Sequence, residues 1–331
     1  MKKVIFCATL LFVAVLTQSF SKIPICITCN LNGEIHTDSP AIVPPGYYPF
    51  KLGNFTITVI SDGTLLMPLE HLIVGTKPGE VEQALAGHHR ASPTETSANC
   101  FLVNTGGQLI LVDAGGGEIF KAGGLGHILD NLAAAGYRPE QINAVLLTHF
   151  HPDHTGGLLR NGKIAFPNAD IYMHQADYNI LFGASGEKDQ SENAGVIQIL
   201  GLYKAGGRIK TFNSQSVLFP GITAIPAPGH TPGHTCYMVV SAEKKMLIWG
   251  DIVHAADVQF ADPNAAVVLD ANTTQAIAER KIIFAEAAKE GYLIGAAHIS
   301  FPGLGYVGLN GDQYEWIPVV YSTGNKVQLF K

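Results

Sequence analysis

The sequence predicts an α+β fold, and three features point to it. Short apolar or alternating runs rich in β-branched and aromatic residues recur along most of the chain, which is how strands read. Helical patterning is confined to residues 125–135, 176–182 and 272–290. The 36 glycines and 18 prolines supply many turns between short elements. With 331 residues, 47% of them hydrophobic, the chain can bury a large core in one large or two ordinary domains. Only 15% of residues are charged and the formal net charge is -6, which argues against a nucleic-acid partner and against disorder.

The N-terminus follows the plan of a secretory signal peptide. Met1-Lys2-Lys3 is a positive start, Val4–Leu16 is apolar apart from Thr9, and small and polar residues follow to Ser21. The apolar stretch is shorter than the roughly 20 residues a spanning helix needs. Residues 1–21 are therefore expected to be removed on export, to the periplasm or beyond, leaving no membrane segment. Residues 22–45 read as an irregular arm. Cys26 and Cys29 in it form a C-x-x-C without the βαβ setting of a redox motif, so they pair with each other or stay free. Cys100 and Cys236 sit in apolar runs and read as buried small hydrophobes.

Beyond the arm, Phe55–Ile60 alternates as a strand, closed by an expected turn at Ser61-Asp62-Gly63-Thr64. Residues 65–98 are less regular, and His88-His89 within them read as surface or lid residues. Cys100–Val103 and Leu109–Val112 form a hairpin about Gly106-Gly107. Asp113 follows, then three glycines, with neither a dinucleotide fingerprint nor a P-loop lysine. The role assigned to Asp113 is to accept a hydrogen bond from a ligand histidine and orient it; a plain turn aspartate is the alternative. A helix over 125–135 stops at Gly136. Ala144–Thr148, Ala169–His174, Val217–Ala227, Met246–Trp249, Tyr292–Ala297 and Trp316–Val320 read as strands. Ala176–Phe182 is a helix, 183–195 a Gly-rich loop over the site, and 272–290 a helix capped by Asn272 or Thr273. His36, His127 and His174 carry no ligand spacing.

The chemistry concentrates at His149-Phe150-His151-Pro152-Asp153-His154-Thr155-Gly156-Gly157. A buried strand delivers His149, and in extended chain His149 and His151 face one side. Asp153 and His154 are adjacent, so a tight loop must aim them differently, towards a second ion. The loop Pro228-Gly229-His230-Thr231-Pro232-Gly233-His234 cannot be helical, so one of its histidines ligates and the other is structural. Strands also end at Asp251 and at His298. Five histidines and two aspartates are too many for one ion and suit two if a carboxylate bridges. With no cysteine in the set, Zn fits first, and Mn, Fe or Co also suit imidazole and carboxylate.

His149-x-His151-x-Asp153-His154, followed in order by His230 to His234, Gly250-Asp251 and His298, resembles the signature of the metallo-β-lactamase superfamily. Pro45-Gly46-Tyr47-Tyr48, Ser61-Asp62-Gly63-Thr64, Gly136–Gln141 and Ala297–Gly303 are similar to the branch holding methyl parathion hydrolase and related exported lactonases. The resemblance implies an αββα sandwich of two mixed sheets, one domain over 46–331. It implies two divalent cations, one on His149, His151 and His234, the other on Asp153, His154 and His298, bridged by Asp251, with His230 behind the ligands. His254, three residues past Asp251, would face the substrate or else be a satisfied loop histidine, with Phe120 and Phe150 as wall aromatics, and relatives in the branch often form homodimers.

Paired cations acidify a shared water, and the resulting hydroxide attacks a carbonyl or phosphoryl centre. Asp153 would then pass a proton to the leaving oxygen and Asp251 hold the metals together. The expected substrate is a small ester, lactone or phosphotriester, with acyl homoserine lactones first and organophosphates or aryl esters second. Asn179 stands where the aromatic cage of a parathion hydrolase-like pocket would need a further ring, which tilts the reading to lactones. β-Lactam hydrolysis ranks lower because those enzymes generally lack the bridging aspartate that Asp251 resembles. A diiron oxidoreductase would carry Glu where this chain has His151, and a non-catalytic metal binder would have lost a ligand.

Overall fold

The computed structural model describes residues 44–183 and 193–320, with the two-residue strands Thr28–Cys29 and Ile35–His36. The signal segment, the side chains of Cys26, Cys29 and His36, and most of the expected 183–195 loop lie outside the described residues. Residues 1–44 and 45–331 are separate compact units. Within the first, the arm expected over 22–45 to be irregular contains an antiparallel ladder pairing Thr28 with His36 and Cys29 with Ile35.

The second unit is built on two seven-stranded sheets. The first sheet contains β1 (Tyr47–Leu52), β2 (Phe55–Met67), β3 (Thr94–Asn104), β4 (Leu109–Val112), β5 (Ala144–Leu146), β6 (Asp170–His174) and β7 (Ile209–Phe212), side by side in chain order. β1 to β4 are antiparallel and β4 to β7 parallel. The second sheet contains β8 (Ser216–Phe219), β9 (Ile222–Pro226), β10 (Thr235–Ser241), β11 (Lys244–Ile248), β12 (Leu293–Gly295), β13 (Leu304–Asn310) and β14 (Gln313–Pro318), again in order. Its one parallel pair is β11 with β12.

Period-two alternation explains why the strands read as apolar on both faces. On β3, Cys100 and Leu102 pack under helices, while Phe101 and Val103 face the other sheet. On β11, Met246 and Ile248 join that inter-sheet core, while Leu247 and the fully buried Trp249 just beyond it face the opposite way. The helices cover the two outer faces. α2 (Ile128–Ala134), α4 (Gln175–Phe182) and α5 (Ala194–Ala205) close the first sheet with Leu132, Leu181, Leu200 and Tyr203. α6 (Thr273–Glu290) closes the second with Ile283, Phe284 and Ala287. Shorter helices include α1 (Glu80–Gly87) and the single turn α3 (Pro152–Thr155). The result is the expected αββα sandwich. No described helix is long and apolar enough to cross a membrane.

Two local expectations change. Ser61–Thr64 is not a turn: β2 runs through it with a register shift between Ser61 and Gly63. The bulge buries Asp62, whose carboxylate accepts from the N–H of Gly116 and Gly126 at 2.8 and 3.0 Å and of Ile128 at 2.8 Å. Gly63 has φ +121°, and a Cβ there would lie 2.0 Å from the Gly124 carbonyl oxygen, so only glycine fits. The second change is α5, which the sequence reading did not anticipate. It buries Val196, Ile199, Leu200 and Tyr203 at helical spacing, but exposed Leu202 blurs the stripe. Asn272 caps α6, accepting from Gln275 N–H at 3.0 Å. His174 caps α4, accepting from Ala176 N–H at 3.1 Å. Cys100 and Cys236 are buried and free.

Candidate metal centre

The site forms at one end of the sandwich, where strands from both sheets stop. β5 leads through Leu147-Thr148 to His149. His151 precedes Pro152, which opens α3 from its first position. That helical turn sends Asp153 and His154 in different directions, as their adjacency requires, while the rings of His149 and His151 stay 4.6 Å apart. The loop from β9 to β10 brings His230 and His234. β11 runs into a 3₁₀ turn at Gly250-Asp251-Ile252, and β12 leads to His298.

Outer partners fix the imidazole hydrogens. The Nδ1 of His154 lies 2.9 Å from Asp113 Oδ2, of His230 2.9 Å from Asp270 Oδ1, and of His298 2.9 Å from the Ser97 carbonyl. His149 Nδ1 is 3.1 Å from Thr148 Oγ1, whose hydroxyl donates to Asp113 Oδ2 at 2.8 Å. These acceptors put each hydrogen on Nδ1 and turn the Nε2 lone pairs inward. Asp113 thus orients His154 directly and His149 through Thr148.

The inward atoms crowd one carboxylate. Nε2 of His154 is 3.1 Å from Asp251 Oδ1, and Nε2 of His230 and His298 are each 3.2 Å from Oδ2. Nε2 of His149 lies 3.7 Å from the same oxygen. Lone pairs facing a carboxylate require a proton or a cation between them. Burial pulls the imidazoles of His154, His230 and His298 down, but the neighbouring carboxylates outweigh it, raising all three and His230 to about 9. Burial dominates at His149, held well below its ordinary range, and at His151, lowered to about 4. Nε2 of His149, Nε2 of His154 and Oδ1 of Asp251 are buried without a hydrogen-bond partner among the described residues.

Two donor sets result, each with its ligand atoms within 4.8 Å of one another: His149, His151, His230 and Asp251, and Asp153, His154, Asp251 and His298. Asp251 belongs to both. Unsatisfied buried nitrogens and carboxylate oxygens at this spacing fit divalent cations.

The structure reverses the expected roles of the two loop histidines. His230, expected behind the ligands, enters the first set, its Nε2 3.0 Å from His151 Nδ1. His234, expected as a ligand, has both nitrogens engaged elsewhere. Its Nδ1 is 3.0 Å from the Ala227 carbonyl, and its Nε2 accepts from the Asp251 N–H at 3.0 Å. It holds the Asp251 backbone in place, and Gly250 leaves room for it, since a Cβ there would lie 2.7 Å from His234 Nε2.

Phe150 is not a pocket wall: its ring is buried in the core beneath the helices of the first sheet. The neighbouring ligand positions face the site, and alternation sends the residue between them inward. Phe120 is half-buried with its ring against Gly116, and is not among the residues lining the cavity beside His298. That cavity, about 300 Å³, is lined by His254, His298, Leu69, Phe301 and Trp316, among others. His254 lies there with Nε2 3.0 Å from Asp251 Oδ2. Two contributors escaped the sequence reading. Thr148 had only its place before His149 as a signal. Asp270, partner of His230 from 40 residues away, had none.

The solved structure of AbOPH, a hydrolase of the β-lactamase superfamily, matches with a TM-score of 0.79 at 34% identity over 85% of this chain and 99% of its own. AidC, a dizinc quorum-quenching lactonase in complex with a hexanoyl-homoserine product, matches with a TM-score of 0.77 at 27% identity, over 84% of this chain and 99% of its own. An atrochrysone carboxyl ACP thioesterase of Passalora fulva is 27% identical over 197 residues, 59% of this chain. An N-acyl homoserine lactonase of Bacillus sp. is 27% identical over 137 residues, 41% of this chain. The chain spans about half the length of these two curated relatives, 46% in each case. Residues 93–316, well over half of the sequence, match the metallo-β-lactamase superfamily, so the chain belongs to that family.

Proposed function

We propose that this chain is a metal-dependent hydrolase, an exported lactonase that opens acyl homoserine lactones. The observation that carries the reading is the pair of donor sets joined at Asp251 beside a mostly apolar cavity. Similarity to AidC and to the Bacillus lactonase supports the substrate class.

His149, His151 and His230 would hold one cation, Asp153, His154 and His298 the other, and Asp251 would be shared. Zn suits the donors first, with Mn, Fe or Co also compatible. Bound there, two divalent cations supply Lewis acidity to an ester carbonyl and acidify water. The chain's own residues then orient and move protons. Thr148, Asp113 and Asp270 keep the imidazole hydrogens outward. Asp153 is half-buried, its side chain 22% accessible. Burial pushes its carboxyl up, but His154 and His298 outweigh burial and hold it well below the usual range. It stays ionised, placed to take a proton and pass it to the leaving alkoxide.

Phe301 and Trp316 in the cavity wall support aryl ester or organophosphate hydrolysis as a second reading. A side-by-side measurement of kcat/KM on a long-chain acyl homoserine lactone and on a paraoxon-type ester, after metal reconstitution, separates the two. Lactone opening should be at least tenfold faster; phosphotriester turnover without lactone turnover would invert the ranking. Export is proposed from residues 1–21. Mature protein in the periplasmic or culture fraction, shortened by about that segment, is the expected result, and full-length protein in the cytoplasm would contradict it.

A further inference from the structure

We propose that Arg90 is a specificity-determining residue, its guanidinium donating to an oxygen on the substrate arm that fills the cavity beside His298. Given the lactonase reading, on which this rests, that oxygen is a carbonyl substituent on the chain of an acyl homoserine lactone, as in a 3-oxoacyl arm. The cavity is lined by His298 and His254 from the metal centre and, elsewhere on its wall, by Arg90 and Asp257. Leu69, Phe301, Leu304, Trp316 and Val319 give it apolar surface besides. Arg90 follows α1, its backbone N–H donating to the Leu85 carbonyl at 2.8 Å. Its Nη1 donates to Asp257 Oδ2 at 2.8 Å and its Nη2 to the Glu95 carbonyl at 2.7 Å. Asp257 lies in the helical turn Ala256–Gln259, and Glu95 lies on β3. The head group is thus held against two elements, yet the side chain stays 31% accessible.

A guanidinium carries five N–H donors, no acceptor and a permanent charge. Asp257 and Glu95 engage two of those donors, so others are left for a ligand. The Asp257 carboxylate balances the charge, which suits the pair to a neutral acceptor rather than to a carboxylate or phosphate. Neither Arg90 nor its two partners belong to the metal donor sets. The scissile ester must lie at those sets, so the oxygen that meets Arg90 belongs to the arm. A carbonyl entering an otherwise apolar wall loses its water and needs a donor in exchange. A plain alkyl arm fills the same wall and gains nothing from the guanidinium.

The readout is the ratio of kcat/KM for N-(3-oxohexanoyl) homoserine lactone to that for N-hexanoyl homoserine lactone. Ring, amide and chain length are common to both substrates, and the ratio is internal to each preparation, so metal loading cancels. In Arg90→Met the ratio should fall about tenfold, chiefly through KM. Arg90→Lys keeps the charge but not the planar fork, and its ratio should fall about threefold. Asp257→Asn weakens the tie between the segment after α1 and the Ala256–Gln259 turn but leaves the guanidinium, so the ratio should be kept. Equal losses on both substrates in Arg90→Met, or the same fall of the ratio in Asp257→Asn, would overturn the proposal while leaving the lactonase reading intact. If Arg90→Met does not fold, an unchanged ratio in Arg90→Lys decides against it. Wild-type protein that opens neither lactone would sink both.

Discussion

His230 and His234 lie four residues apart in one loop, and what separates them is their partners. Asp270 takes the Nδ1 hydrogen of His230 and frees its Nε2, whereas the Ala227 carbonyl and the Asp251 N–H occupy both nitrogens of His234. The two substitutions should therefore differ. His230→Ala is expected to lower bound metal from two ions per chain to about one, with activity down at least a hundredfold. His234→Ala should keep more metal and lose activity through a displaced Asp251. Elemental analysis of the purified variants decides this, and equal metal loss in both would remove the distinction. The ligands on the 149–154 stretch were legible because local geometry alone spaces them. The choice within the 228–235 loop was not, because no periodicity exists there and the deciding carboxylate is remote in sequence.

Among the elements, strands were the most legible, since a strand buried on both faces is an apolar run whatever it packs against. The bulge at Asp62 was illegible because Ser-Asp-Gly-Thr is also a turn sequence, and the N–H groups of Gly116, Gly126 and Ile128, remote in sequence, make burying its carboxylate worthwhile. α4 carries a comparable device. Asp177 in its first turn is buried and accepts from Thr231 Oγ1 at 2.9 Å and Gly233 N–H at 2.6 Å, and from the backbone of Phe150. One carboxylate thereby straps both histidine-bearing loops to the helix. Burial pushes it up to about 7 despite those donors. A raised carboxyl binds its proton more tightly when folded, so its contribution favours folding at low pH and is lost between about 4 and 7 as pH rises. Asp177→Asn should flatten the decline in melting temperature from pH 5 to pH 8, while Asp177→Ala should destabilise throughout. Parallel pH profiles for wild type and Asp177→Asn would show that Asp177 does not titrate in this window.

At the scale of the whole molecule, the site joins the two sheets. The 149–154 ligands leave the first sheet, and His230, Asp251 and His298 leave the second. Divalent cations held there would tie the sheets together, and binding to the folded state alone would stabilise it by about 3 kcal/mol at a hundredfold excess over Kd. Chelation should lower the melting temperature by several degrees and added Zn should restore it, as calorimetry would show. A melting temperature indifferent to chelator would mean that the sheets hold without metal.

By itself the sequence determined the α+β class, the strands that carry the ligands and most of the donor set, because strand alternation and ligand spacing are local properties. Only the tertiary structure decided that His230 rather than His234 joins the cluster, that Phe150 points into the core, and that Asp113, Thr148 and Asp270 set the imidazole hydrogens. Each of those outcomes depends on a partner brought close by the packing of one sheet on the other or of a loop on its neighbour, and such distances leave no periodicity in the chain.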